Sequence, residues 1–348
     1  MSSLCQDLLA AGSRLDVALP EMPEADGEEV RRVFSGAVPV EGQRVMIENL
    51  TDVTFNEAGE FFTDGGISPD WFASQEAYQS RDVARFERKF GRAQQNARTL
   101  DGGDDAPLWI TDRYSHVYYH WVTHALARLE AAVLAGLTGR LLLPHWIAQL
   151  GFARDSLTAY PQIEPVFAGT GNWHAREVRL VTRASIPPDI HPQLVRQVSQ
   201  RVTSYFGRTH AATETGRRIY VTRRLARNRQ VVNERDLQPI LDHHGLEIVE
   251  MERLGFAEQV ALMQQTVVLA GPHGAGLTNA LFMRKGPTLL ELRQLEGPPL
   301  SFMKLAGVMG QRYRYCVCEN AEPGMHHHGA DIYIDPGRLE EALRAVAQ

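Results

Sequence analysis

Apolar and polar positions follow two rhythms along this chain, and the rhythm changes near residue 107. Before it, VPVEGQRVMIENLTDVTFNEAGEFFTDGGIS places apolar residues at alternate positions between Gly, Asn and Asp turn signals, which predicts short strands. The acidic stretch within 1–30 reads as an irregular lead-in. A polar, arginine-containing segment, QSRDVARFERKFGRAQQN, leads into the loop DGGDD. From 107 strands and helices interchange. PLWIT predicts a strand, and 118–136 a helix with Val122, Leu126, Leu129 and Val133 on one face. RLLLP and EVRLV predict strands, HWIAQLGFA a helix and 191–206 an amphipathic helix. GRTHAATETG reads as a linker.

The second half repeats the alternation more cleanly. RIYVTR, LEIVE, TVVLAG, TLLELR and YRYCVC predict strands. NERDLQPILDHH, FAEQVALMQQ, LTNALF and SFMKLAGVMG predict the helices between them, the first with Asn233 as its N-cap and acids in its first turn. DIYIDPGRLEEALRAV adds a strand and a helix. This order predicts an α/β fold with parallel sheets covered on both faces. The expected boundaries are a short-strand lead-in at 1–100, α/β units at 101–207 and 208–330, and a terminal strand and helix at 331–348.

Composition narrows the class. The chain has 348 residues, 44% hydrophobic and 22% charged, which is globular and long enough for two cores. A net charge of −6 argues against a nucleic-acid partner. The three cysteines include Cys316 and Cys318 but no second pair for a zinc site, and so low a count fits a reducing compartment. MSSLCQDLLAAG lacks the features of a signal peptide, and no run is apolar enough to span a membrane. The expected address is cytoplasmic, with the inner face of a membrane as the alternative.

Three stretches carry candidate chemistry. LAGPHGAGLTNALF sets Gly271, Gly274 and Gly276 between a strand and a helix, where unpaired N–H groups and a positive dipole end attract anions. Their order is G-x-x-G-x-G with Pro272 and His273 inside it, which departs from the dinucleotide fingerprint. Glu291 ends the next strand, placed to accept ribose hydroxyls. The segment 217–234 holds six arginines within 217–229, and Arg223 and Arg229 are its candidates for phosphate; Arg218, Arg224 and Arg227 read as solvated. In HVYYHWVTHALARL, at 116–129, His116, His120 and His124 would share one face of a helix, at i, i+4 and i+8. Zinc binding would lack the glutamate of H-E-x-x-H, whereas a neutral histidine suits general-base work. His326–His328 and Asp101–Asp105 read as loop features.

Taken in order, these pieces resemble glycosyltransferase family 61. The residues that carry the likeness are Tyr118, His120, Trp121, Leu126, Arg128 and Leu129; then Thr222, Arg223, Arg229, Asn233 and Glu234; then Gly271, His273, Gly274, Ala275, Leu277, Asn279, Phe282 and Glu291. The family's acidic helix residue is replaced here by His124, and its proline by Ala127. The resemblance implies a GT-B-like fold, two Rossmann-like domains facing a central cleft. It implies inverting transfer from a nucleotide-sugar, typically UDP-linked, to a glycan or other hydroxyl acceptor, as in the surface polysaccharides of bacterial members. The expected donor contacts are Thr222, Arg223, Arg229, Asn233, Glu234, His273, Gly274, Ala275, Gly276, Asn279 and Glu291, with no cofactor and no metal. The expected base is His120 or His124, with Asp112, Asp155 and Glu130 as substitutes. A non-catalytic nucleotide- or glycan-binding module and a zinc hydrolase built on the histidines are the rival readings.

Overall fold

The computed structural model describes residues 5–9, 13–20, 27–35, 39–63, 66–72, 79, 82–100, 105–207, 216–284, 286–295, 297–322, 324–326 and 329–347. The acidic stretch 21–26, positions 101–104 of the DGGDD loop, linker residues 208–215 and His327–His328 lie outside the described residues. The chain divides into two compact units, one of residues 1–14 and 41–198 and the other of 15–40 and 199–348.

In the first unit, four parallel strands lie in the order Ile163–Phe167, Gly139–Leu143, Leu108–Trp109 and Trp173–Val181. The antiparallel strands Val45–Phe55, Phe61–Thr63 and Gly66–Ile67 extend the sheet. Counted along the chain, the parallel strands stand 3-2-1-4, the order of a Rossmann-like half. The predicted helix runs over 118–134, with a π-helical turn at Trp121–Ala125. Buried Trp121 anchors it by donating Nε1–H to Ser156 Oγ at 2.9 Å, and Arg128 donates to the Val181 carbonyl at 2.6 Å. PLWIT forms only the short strand Leu108–Trp109, leaving 110–117 as an irregular segment at its end. The strand Ile163–Phe167 has no clear alternation and escaped prediction. So did the helix Val83–Gln95, whose Phe86 and Phe90 pack on Phe62, Ile67, Trp71 and Phe72. Its arginines and lysine on the outer face obscured an amphipathic pattern.

The second unit is a more regular sheet. Its parallel strands lie in the order Leu246–Val249, Arg217–Val221, Thr266–Pro272, Thr288–Gln294 and Arg312–Asn320, with Ile332–Tyr333 antiparallel at the edge. Counted along the chain this is 2-1-3-4-5, a doubly wound order. The central strands are buried on both faces, so they read as unbroken apolar runs. The helices Glu234–His243 and Pro336–Ala347 cover one face through Leu237, Leu241, Leu339 and Leu343. Cys316 and Cys318 are buried together on the last parallel strand. LTNALF forms a 3₁₀ helix, Ala275–Phe282, in place of the α-helix expected.

The lead-in differs most from expectation. It contains the helix Gly27–Ser35, and this piece of chain belongs to the second unit. Phe34 is fully buried there, its ring 4.7 Å from that of Tyr315 and 6.1 Å from that of Tyr313. Phe34→Ala should therefore destabilise the protein by about 3–5 kcal/mol, as for other buried phenylalanines. Denaturant unfolding measures this, and a loss below about 1 kcal/mol would show that 27–35 is not part of the core.

Candidate functional site

In an open parallel sheet, ligands bind beyond the carboxyl ends of the strands where the strand order reverses. In the second unit that point lies between Arg217–Val221 and Thr266–Pro272. Thr222 and Arg223 follow the first strand, and His273 and Gly274 follow the second, so the two sequence motifs meet there. Their glycines are explained by the meeting. A Cβ on Gly271 would lie 2.8 Å from the Val221 carbonyl oxygen, one on Gly276 2.8 Å from Val221 Cγ1, and one on Gly274 would run into the Arg223 guanidinium.

Arg223 and Arg229 are both partly buried at this point. Arg223 donates to the carbonyls of Asn228 at 2.9 Å and Arg229 at 3.2 Å, which closes the 223–229 loop. Burial and then the positive charge of Arg229 lower its pKa to about 10, against an opposing pull from Glu252 and Asp331. Burial likewise lowers the pKa of Arg229, with Glu291 opposing. Arg229 sits at φ 59°, a left-handed conformation that a non-glycine residue adopts at a cost, and its buried Nε has no hydrogen-bond partner. Among the described residues neither guanidinium forms an ion pair. Two partly buried, crowded guanidiniums at the carboxyl end of a parallel sheet are chemically suited to an anion.

Glu291 occupies a different place from the ribose contact expected of it. It is fully buried, and its oxygens are engaged by His273 Nδ1 at 2.5 Å, the Tyr313 hydroxyl at 2.5 Å and Arg293 Nη1 at 3.9 Å. Burial pushes its pKa up, but Arg293, His273 and Tyr313 together outweigh that and leave the carboxyl below its ordinary range. A ribose has no approach to this group. Its action is on His273, which it holds by one ring nitrogen, leaving the other for a ligand. Arg293 and Tyr313 were missed in the sequence; the E-x-R spacing that puts Glu291 and Arg293 on one face of a strand was the available signal.

Four further candidates turn inward. Asn233 is buried, and its amide exchanges hydrogen bonds with the Ile334 carbonyl at 2.8 Å and the Ile334 N–H at 3.1 Å. Glu234 accepts from Thr222 Oγ1 at 2.6 Å and from Arg224 Nη2 at 2.9 Å. Asn279 donates to Gln259 Oε1 at 2.9 Å and to the Gly276 carbonyl at 3.2 Å. These contacts shape the 222–234 loop and the 3₁₀ helix, so Thr222, Asn233, Glu234 and Asn279 act on the site from behind.

The first unit has its own reversal point, between Leu108–Trp109 and Trp173–Val181. There Asp112 pairs with Arg183 at 3.2 Å, and Asp112 Oδ1 accepts from the Tyr114 N–H at 2.9 Å and Ser115 Oγ at 3.1 Å. His120 and His124 stand on the adjoining helix with rings 5.1 Å apart. His124 is buried, its Nδ1 2.9 Å from Thr123 Oγ1 and its Nε2 3.0 Å from the Asp189 carbonyl oxygen. Burial and then His120 bring its pKa down to about 3. With both nitrogens engaged, His124 is a structural residue rather than the base. His120 is partly exposed, and among the described residues no hydrogen bond reaches its ring. Its pKa is lowered by burial, against Asp112, so it is neutral at pH 7. The three-histidine zinc arrangement does not form. Among the described residues the ligand atoms close enough to share an ion are those of His243, His244 and Glu340, in the second unit.

Residues 118–290, about half the chain, match the family model described as Glycosyltransferase 61, a segment that carries the motif residues from Tyr118 to Phe282. Within the chain, 98 residues are 40% identical to the EGF domain-specific O-linked N-acetylglucosamine transferase of Drosophila melanogaster. That stretch is 27% of this chain and 18% of the fly protein, so the chain spans less than a fifth of this curated relative. No helix among the described residues is long and apolar enough to cross a membrane.

Two outcomes test the structural residues. Asn233→Ala removes two buried hydrogen bonds and should lower stability by about 1–3 kcal/mol in denaturant unfolding. His124 is buried neutral, so below pH 6.5 the unfolded chain takes up a proton that the folded chain refuses. The stability present above 6.5 is then lost as pH falls towards 3, at roughly 1.4 kcal/mol per pH unit. Denaturant unfolding between pH 6.5 and 4 should show a shallower slope for His124→Gln than for wild type; equal slopes would contradict the assignment.

Proposed function

We propose that this chain is an inverting glycosyltransferase of family 61 that moves a sugar from a UDP-linked donor to a hydroxyl of a glycan acceptor, without a metal ion. The observation that carries the reading is the pair Arg223 and Arg229, partly buried and crowded at the reversal point of a doubly wound sheet. Guanidiniums bind phosphate oxygens in bidentate fashion. The diphosphate lies against Arg223, Arg229 and the free ring nitrogen of His273. The N–H groups of Gly274, Ala275 and Gly276 face it from the start of the 3₁₀ helix.

His120 takes the proton from the acceptor hydroxyl, and that oxygen attacks the anomeric carbon as the bond to the diphosphate oxygen breaks. The electron pair leaves with the diphosphate, and the new bond forms on the opposite face. The GT-B arrangement that the family likeness implies assigns the donor to the second unit and the acceptor to the first. The acceptor class is a surface polysaccharide and the site of action the cytoplasmic side of a membrane, as the family likeness implies. The fly relative's name makes N-acetylglucosamine the first donor sugar to test.

His124, buried where the family has a carboxylate, favours a second reading, a binding module without catalysis. Hydrolysis of a UDP-sugar in the absence of acceptor decides for the enzyme. His120→Ala should then lower the turnover number by about 10²–10⁴ with donor affinity intact. Arg223→Ala should weaken UDP binding at least about tenfold, since charge-assisted bonds contribute roughly 1.5–3 kcal/mol. Activity should persist in excess EDTA; loss restored only by a divalent cation would refute metal independence.

A further inference from the structure

The first unit contains a pocket of about 850 Å³ that none of the three motifs explains. Its walls are aromatic and fixed. Trp146 is half-buried and donates Nε1–H to the Ala58 carbonyl at 3.1 Å. Trp71 and Phe72 are buried in a cluster with Phe62, Phe86 and Phe90, and the Phe72 and Phe86 rings meet edge to face at 5.6 Å. Such surfaces lose little freedom when a ligand packs on them. The apolar faces of sugar rings are suited to them.

The charges of the pocket are unbalanced. Glu60 is taken up by Lys89, at 2.6 and 2.8 Å, and by Asn56. Asp82 Oδ1 caps the helix Val83–Gln95 by accepting from the Arg85 N–H at 2.9 Å. The guanidiniums of Arg85 and Arg113 are exposed on the same pocket, and among the described residues neither forms an ion pair. Arg113 lies over the Tyr114 ring, 5.2 Å from its centroid. Planar guanidiniums beside an aromatic wall are a receptor for an anionic group carried on a ring.

The position of the pocket gives it a role. Arg113 and His116 line it, and both belong to the 110–117 segment that also carries Asp112 and runs into the helix bearing His120. We infer that this pocket takes the acceptor, and that the acceptor is an anionic glycan whose sugar rings lie on Trp71 and Trp146 and whose acid group meets Arg85 and Arg113. The inference rests on the transferase reading for the word acceptor, but binding tests it separately.

The test is calorimetry of the full chain with three oligosaccharides of equal length: a uronate, a phosphorylated sugar chain and a neutral one. The uronate or the phosphorylated chain should bind, which also tells the two acids apart, and the neutral one at least about tenfold more weakly. Arg85→Ala/Arg113→Ala and Trp146→Ala should each weaken the acidic ligand at least about tenfold and leave UDP affinity unchanged. Arg113→Gln, an exposed substitution that keeps the side-chain stem, provides a folded variant if the double change unfolds. Equal binding of acidic and neutral chains, binding indifferent to these variants, or binding of a serine-containing polypeptide in place of any glycan overturns the inference. Loss of UDP binding with the glycan still bound would instead overturn the transferase reading.

Discussion

A carboxylate with no exposure, in the middle of a parallel sheet, is the constraint around which the second unit is arranged. An unpaired charge there would be untenable, so Glu291 requires Arg293, His273 and Tyr313 around it. Each partner fixes something else. Arg293 reaches the Pro298 carbonyl at 2.6 Å and stacks 5.4 Å from the Phe34 ring centroid, which draws the helix Gly27–Ser35 into this unit. His273 is held by one nitrogen at the sheet's ligand end. Arg229 feels the carboxylate's charge from a strained loop. The buried ion thus sets the orientation of the groups proposed to meet a diphosphate.

The two reversal points share a design with different chemistry. In the second unit the charges at the strand ends are an excess of cations, suited to binding and to stabilising a leaving group. In the first, Asp112 and Arg183 neutralise each other, and a histidine kept neutral by burial stands beside them. Under the proposed function the second unit's arrangement is the candidate for the anion and the first unit's for the proton.

Much of the second unit was legible because its strands are buried on both faces and its helices carry one apolar face. These give unbroken and 3.6-residue patterns that do not overlap. The first unit was harder. Leu108–Trp109 is too short to show a period, and the helix Val83–Gln95 is masked by its charges. At the candidate site, residue type and spacing named loops that the fold brings together, but not the layer each residue occupies. Asn233, Glu234 and Asn279 read as donor contacts and His124 as a base, yet all four have side chains engaged in internal hydrogen bonds. Gly274 looked like room for a ligand and is room for Arg223. Spacing along a chain says which residues assemble; which face they turn to the solvent is decided by partners distant in sequence, such as Ile334 and Tyr313.

The central claim is that Arg223, Arg229 and His273 hold a diphosphate. Calorimetric titration with UDP and with uridine, at low and at raised salt, tests it most directly. The account predicts UDP binding at least about tenfold tighter than uridine, with that advantage shrinking as salt screens the phosphate contacts. Equal affinities for the two ligands, or a preference for UDP that salt leaves untouched, would contradict it.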